Sequence, residues 1–329
     1  MIYTFETRLK LSSSEEKLLT RDLHLWNNFY RIGFVQYSKK QDEQKLYHYL
    51  QVKTHHAQIS KSLVNVIAGK HKALVELQKT HKQELETKIK ALEKTIKELK
   101  TKISKQQQKI IKLTAWAKHN AIAKNNKTLH LIAKKEQALQ LKQQKLERLN
   151  EQINNKKVSM CFGGKKLFKQ RQGLTTQKAI SQWQEVWDLA RNSTRIAIGN
   201  KNTPYGNPEI QYNHTTQKIR IRLAAELVQE RLQSGLIKGI IPCRFIEVDC
   251  TGFSYLERMA KKNNTTIIAL LSNKPITAKL LQRDNGFYVQ LSLDIVSTQK
   301  ASGLNILGID FNADGLGFVV VKPDGNRKS

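Results

Sequence analysis

The chain has 329 residues and carries 57 Lys+Arg against 27 Asp+Glu, a formal net charge of +30. So large a positive excess calls for an anionic partner, of which nucleic acid is the commonest, and the length has room for two or three domains. No run approaches the roughly 20 apolar residues of a spanning helix, and Glu6, Arg8 and Lys10 interrupt any signal-peptide core, so no membrane partner is expected and the cytoplasm is the expected location.

Residues 2–11 alternate, with Tyr3, Phe5, Thr7, Leu9 and Leu11 on one side, which predicts a strand with one buried face. Ser12-Ser13-Ser14-Glu15-Glu16 then places hydroxyls before acids, a helix start. From there to about 156 the pattern is helical, and no proline occurs before Pro204 to break it. The adjacent pair His55-His56 reads as solvated. Leu85, Ile89, Leu92, Ile96, Leu99, Ile103, Gln106, Ile110 and Leu113 recur at spacings of four and three, a heptad seam with one polar interruption. Ile132, Leu139, Leu146 and Ile153 repeat at seven, and the Asn- and Lys-rich stretch Lys118 to Lys127 between the two series is expected to turn the chain. The result is an antiparallel helical hairpin; coiled-coil self-association is the rival, since heptads do not say whether the partner is the same chain. Residues 70–112 contain thirteen Lys and five Glu, a bias that forgoes i,i+4 pairs and suits a face lying along phosphates.

Composition shifts from Val158 onward. Phe162-Gly163-Gly164-Lys165-Lys166-Leu167-Phe168 reads as a Gly turn between short apolar segments and lacks the spacing of a phosphate-cradling loop. A helix follows with Ile180, Trp183, Val186, Trp187 and Ala190 on one face, its tryptophans expected in the core. Strand-like runs come next at Arg195–Ile198, Glu209–Tyr212, Lys218–Leu223, Cys243–Val248, Thr265–Leu271 and Gly286–Ile295. Leu256 to Lys262 is expected to be a short helix, and Arg283-Asp284-Asn285-Gly286 a hairpin turn. Short antiparallel strands with turn signals predict a small barrel or sandwich. Cys161, Cys243 and Cys250 form no CxxC pair, so buried free thiols are expected and no zinc site.

The last stretch, Asn305 to Asp314, is an apolar run with Asp310 near its end, followed by Gly315, the run Phe318-Val319-Val320-Val321 and Pro323-Asp324-Gly325. That predicts a hairpin delivering a carboxylate from a strand, where a charge needs a metal or a partner to neutralise it. A calcium loop from Asp310 to Val321 fits poorly, because its twelfth position should be Glu.

Taken together, the sequence resembles the N-terminal portion of the TnpB (OrfB) proteins, transposon-encoded RNA-guided nucleases related to the type V CRISPR effectors and described also as transposases. The residues that carry the resemblance are Gly308-Ile309-Asp310-Phe311-Asn312-Ala313-Asp314 with Asp324-Gly325-Asn326, the Phe162 to Phe168 segment, and Gly199 to Gln211 with its Gly206-Asn207. The resemblance implies a multidomain α+β chain: a strand at 1–11 entering a small antiparallel β-barrel, a helical coiled-coil hairpin lobe at 12–157, the remainder of the barrel at 158–303, and the first hairpin of an incomplete RNase H-like (RuvC) domain at 304–329. It implies Asp310 as the first catalytic, Mg²⁺-binding carboxylate, and a guide-type structured RNA and DNA as partners. Lys165, Lys166, Lys169, Arg171, Arg220 and Arg222 are the nucleic-acid-binding candidates. The family's later carboxylates and its zinc ribbon are missing, so the expectation is a truncated product that binds nucleic acid without cutting it; two-metal hydrolysis needs several carboxylates. The alternative is a non-catalytic, basic coiled-coil architectural protein that binds nucleic acid without sequence preference.

Overall fold

The computed structural model describes residues 2–111, 115–235, 243–262, 264–295, 306–312 and 315–321, the last two stretches as backbone alone. The chain is mostly helical, with long helices and one open antiparallel sheet of seven strands. It divides into two compact units, Met1–Trp26 with Ser193–Ser329, and Asn27–Asn192.

The sheet unit is built around the first strand, β1 (Ile2–Lys10), where Phe5, Thr7 and Leu9 are buried and their neighbours exposed, the alternation expected from the sequence. The other strands are β2 (Thr194–Ala197), β3 (Ile210–Asn213), β4 (Lys218–Arg222), β5 (Phe245–Cys250), β6 (Thr277–Arg283) and β7 (Gly286–Asp294). Their order is β2-β6-β7-β1-β5-β4-β3. β1 is therefore central, with Phe5 opposite Leu291 of β7 and Leu9 opposite Cys250 of β5. Strands from the far end of the chain must be made before the first one can be paired, which gives this unit a high contact order. β4 buries Ile219 and Ile221 and turns Lys218 out, as its alternation requires. Phe5, Ile219, Ile221, Val248 and Leu291 form the core with Leu19 and Leu23 of helix α1 (Ser13–Lys40). That helix opens on a capping box, Ser12 N–H donating to Glu15 Oε2 (2.7 Å) and Glu15 N–H to Ser12 Oγ (3.4 Å).

The expected closed barrel is not formed: the order ends at β2 and β3, and these two edges are not paired with each other. Side chains join them instead. The fully buried Arg195 of β2 pairs with Asp22 of α1, with Glu209 at the entry to β3 (2.7 Å), and with the Arg222 carbonyl (2.8 Å). Asp22 Oδ1 in turn accepts the Ala224 N–H (2.8 Å). Burial pulls the Arg195 guanidinium down, but Asp22 and Glu209 outweigh it and hold it above its usual range. Asn207, also fully buried, donates to the Ala197 and Ile276 carbonyls (3.0 and 2.8 Å) and accepts the Glu209 and Ile210 N–H groups (2.8 and 2.9 Å). The Gly206-Asn207 pair is thus a clasp that ties the end of β2, the approach to β6 and the start of β3.

Three further helices belong to this unit: α7 (Ala225–Gln233), α8 (Ser254–Lys262) and α9 (Ile267–Leu271). The last overturns an expectation, since Thr265–Leu271 reads as a strand. Thr266 caps the helix by accepting the Ala269 N–H (3.2 Å), and the cap prevails over the strand preference of the β-branched residues. β6 was not anticipated as a strand, although the turn after it was. A separate hairpin pairs β8 (Ile306–Asn312) with β9 (Gly315–Val321), as its sequence predicts.

The helical unit holds α2 (Glu43–Thr54), α3 (Ala57–Ile110), α4 (Ala115–Asn154), α5 (Lys165–Gln170) and α6 (Gln177–Asn192). The histidine pair is not merely solvated: His55 ends α2 in the left-handed region, and His56 Nδ1 accepts the Ile59 N–H (3.2 Å) at the start of α3. α3 and α4 form the antiparallel hairpin, burying Ile96, Ile103 and Ile132 with Leu99 and Leu139 against them. Lys100 pairs with Glu136 across it (2.6 Å). The expected turn at Lys118 to Lys127 is instead part of the unbroken α4, which begins at Ala115, while α3 ends at Ile110. Asn and Lys lower helix propensity only slightly, and the heptad packing on either side outweighs them.

Candidate nucleic-acid interface

On α3, Lys94, Lys97, Lys102, Lys105 and Lys109 line one groove of about 680 Å³, opposite the buried stripe of Ile96 and Ile103. Glu98 is the one acid among its lining residues. None of the five lysines makes an ion pair among the described residues, although Lys79, Lys82, Lys88 and Lys100 on the same helix do. At 1.5 Å per residue they span about 22 Å of axis, a row of cations on a stiff support.

The candidates Lys165, Lys166 and Lys169 lie on α5, and Arg171 follows at once in a short 3₁₀ turn. All four are exposed. Their position is set by the Phe162-Gly163-Gly164 segment. Phe162 packs edge-on against Tyr30 (5.6 Å between centroids) and Phe34 (5.8 Å). Gly163 has φ +90°, and a Cβ there would lie 2.7 Å from Arg191 Cγ and 3.0 Å from the Trp187 ring. The backbone can pass beneath that ring only without a side chain.

The tryptophans depart from expectation. Trp183 and Trp187 are half-buried, Val186 is exposed, and α6 buries no apolar residue. The two indoles stack on each other at 5.3 Å and 17° and line a cleft of about 990 Å³ together with Phe168, Lys165, Lys169 and Arg191. Spacing at i and i+4 puts aromatics on one face but does not say whether another element will cover that face.

Arg220 and Arg222 fall in the other unit, on β4. Both guanidiniums sit over the Phe245 ring, at 4.0 and 4.5 Å. Arg220 also faces Glu247 at 3.5 Å, and Arg222 Nε donates to the Pro208 carbonyl (3.3 Å). Burial and the neighbouring Arg244 pull the Arg222 guanidinium down. These arginines are engaged within the fold.

Asp310 stands opposite Gly317 in the β8–β9 hairpin; its side chain lies outside the described residues, as do Asp314 and Asp324 to Asn326. Among the described residues no group of three or more His, Cys, Asp or Glu is placed to hold a metal ion. Cys243 and Cys250 are buried free thiols and Cys161 is a half-buried one. No described helix is long and apolar enough to cross a membrane. Compared with models of known protein families and with curated proteins, the chain has no match. Sequence reasoning missed the Asp22–Arg195–Glu209 cluster, whose members come from α1, β2 and the entry to β3, and missed the cleft, whose signal was the aromatic spacing combined with Lys165 and Lys169.

Proposed function

We propose that this chain binds nucleic acid through its helical unit, as the RNA- and DNA-binding part of a TnpB-like RNA-guided endonuclease. The observation that carries the binding is the row Lys94, Lys97, Lys102, Lys105 and Lys109, five cations without ion-pair partners among the described residues. An unpaired row of this kind is costly through self-repulsion and is relieved by phosphates, with release of their counterions. Support for the family reading is the order of elements: strand, helical hairpin, resumed sheet, then a hairpin carrying Asp310. On this reading the sheet unit is the family's barrel-like domain, and β8–β9 opens the RuvC-like one. Asp310 is the carboxylate that the resemblance assigns to Mg²⁺, and the activity proposed for this chain is binding.

The test is affinity for duplex DNA as a function of salt. Replacing all five lysines with Gln is expected to lower the slope of log K against log salt by about four to five, one for each phosphate that is no longer neutralised. An unchanged slope refutes the assignment. Sequencing the RNA that copurifies separates the guide-RNA reading, with one dominant transcript, from the architectural alternative, with a random pool. Mg²⁺-dependent cleavage by this chain that disappears in Asp310→Ala would overturn a binding-only role.

A further inference from the structure

The cleft between α5 and α6 has an unusual combination of features for a protein surface. Trp183 and Trp187 present stacked rings, and Phe168, 54% exposed, packs beside Trp187 at 6.1 Å. Leaving this much aromatic surface in water is unfavourable unless something covers it. The arrangement is nevertheless held in place. Trp183 Nε1 donates to the Leu167 carbonyl (2.8 Å), locking α6 to α5, and Gly163 lets the chain run close under Trp187. The charges that line the cleft are all positive: Lys165, Lys169 and Arg191, with no carboxylate among them. The Arg191 guanidinium lies 5.6 Å from the Trp187 centroid, and its Nε is buried with no hydrogen-bond partner among the described residues. Outside the lining, burial and Arg191 pull the guanidinium of Arg31 down while Asp188 acts the other way, so a cation and a carboxylate both stand there.

We infer that this cleft seats unpaired nucleobases of a single-stranded nucleic acid, stacked on the exposed ring of Phe168 beside the Trp183–Trp187 pair, with Lys165, Lys169 and Arg191 meeting the flanking phosphates. The inference rests on the nucleic-acid reading above and adds a second, chemically distinct contact to it. The α3 lysine row offers charge only and does not distinguish duplex from single strand. The cleft offers ring faces, which a base can use only when it is out of a duplex. The choice of occupant follows from charge complementarity. A buried apolar peptide would leave three cations without partners, whereas a nucleotide supplies a flat π-face and an anion together, and the guanidinium of Arg191 adds a cation–π contact to a base beside it. At about 990 Å³ the cleft is at the upper end of small-ligand sites, which suits more than one base.

The experiment measures fluorescence anisotropy of a labelled oligouridine and of a labelled RNA duplex of equal length, using the full chain. Phe168→Ala is expected to weaken oligouridine binding by about 5- to 150-fold, the range for one stacked base, and to change duplex binding by less than about twofold. Phe168→Tyr, which keeps a ring, is expected to retain most of the affinity and controls for folding. The lysine-row variant is expected to weaken both ligands. If the wild-type chain binds both RNAs and Phe168→Ala weakens both alike or neither, the cleft assignment fails while the lysine row stands. If the wild type binds neither, the nucleic-acid reading fails and takes the inference with it. Loss of self-association by sedimentation velocity in Phe168→Ala, with oligouridine affinity unchanged, assigns the cleft to a second copy of the chain and overturns the proposal.

Discussion

Arg195→Met is the most informative single change in the sheet unit. The Arg195 side chain is 1% exposed and the Asp22 and Glu209 side chains are fully buried, so the substitution leaves two carboxylates without their cation in a dry environment. Breaking a buried pair this way costs about 3–5 kcal/mol, far more than the loss of the methylenes, for which Met compensates. Trp26, on α1 one turn after Asp22 and 3% exposed, belongs to the same unit and serves as its probe. The assay is urea unfolding followed by Trp26 emission, with Trp116, Trp183 and Trp187 replaced by Phe so that the helical unit is silent. This matters because a chain of two units need not unfold in one step. With a slope of about 2 kcal/mol/M, a loss of about 4 kcal/mol moves the midpoint down by about 2 M. Combining Arg195→Met with Asp22→Asn and Glu209→Gln is expected to recover more than half of the loss. Neutral amides no longer need the cation, and the amide oxygen introduced by Asp22→Asn can still accept the Ala224 N–H. A midpoint shift below about 0.5 M for Arg195→Met alone, or no recovery in the triple variant, would refute the view that this cluster is what joins the open edges of the sheet.

Three other changes follow from the same reasoning. Asn207→Asp keeps the two accepted hydrogen bonds but loses both donated ones and turns a carboxylate toward the Ala197 and Ile276 carbonyls. It is expected to cost about 2–5 kcal/mol by the Trp26 assay. His71, 5% exposed between Phe34 and Tyr37, is held below its ordinary value of 6.5 by burial. Its neutral form is therefore the folded one: the unfolded state binds the proton more readily, so the helical unit loses stability as pH falls through about 6.5, and hydrogen exchange in α3 is expected to show a pH dependence that His71→Leu flattens. Arg220→Gln with Arg222→Gln is expected to lower stability and leave the salt slope of nucleic-acid binding unchanged; a slope reduced by about two would place these arginines on phosphates after all.

Much of the architecture was legible because each signal was local and one-sided. β1 alternates because one face is buried, and a one-residue slip would expose Phe5 and Leu9. The α3–α4 seam was legible because Ile89, Ile96 and Ile103 repeat at seven. What failed depended on partners far away in sequence. Whether the sheet closes is decided by how its two edges meet, and here they meet through Arg195, Glu209 and Asn207 rather than a backbone ladder. Thr265–Leu271 carries the β-branched residues of a strand, but its cap is satisfied locally and no edge is paired to it. For the candidate site, Lys165 and Lys169 were named as candidates with the family resemblance, and the structure places both on the cleft lining. The role of Trp183 and Trp187 was not, because aromatic residues one turn apart look the same in a core and on an uncovered face.

How positive charge is partnered bears on where the proposed nucleic acid would bind. In the sheet unit several arginines are held in ion pairs: Arg195 with Asp22 and Glu209, Arg283 in a fork with Glu6 (2.8 and 2.6 Å), and Arg21 with Glu230 (2.6 Å). A planar fork with five donors suits fixed, bidentate roles of this kind. On α3 the cation is Lys, and the groove from Lys94 to Lys109 carries five of them against one Glu. A flexible ammonium follows a phosphate backbone without demanding one geometry, and its contribution fades with salt. Arginines that are already partnered contribute little field beyond their own pairs, whereas unpartnered lysines in a row add their fields along the helix. Lysines without ion pairs among the described residues occur in the sheet unit too, Lys10, Lys261 and Lys262 among them, but the α3 groove sets five in a row against one acid, and the proposed anion is expected there and at the α5–α6 cleft.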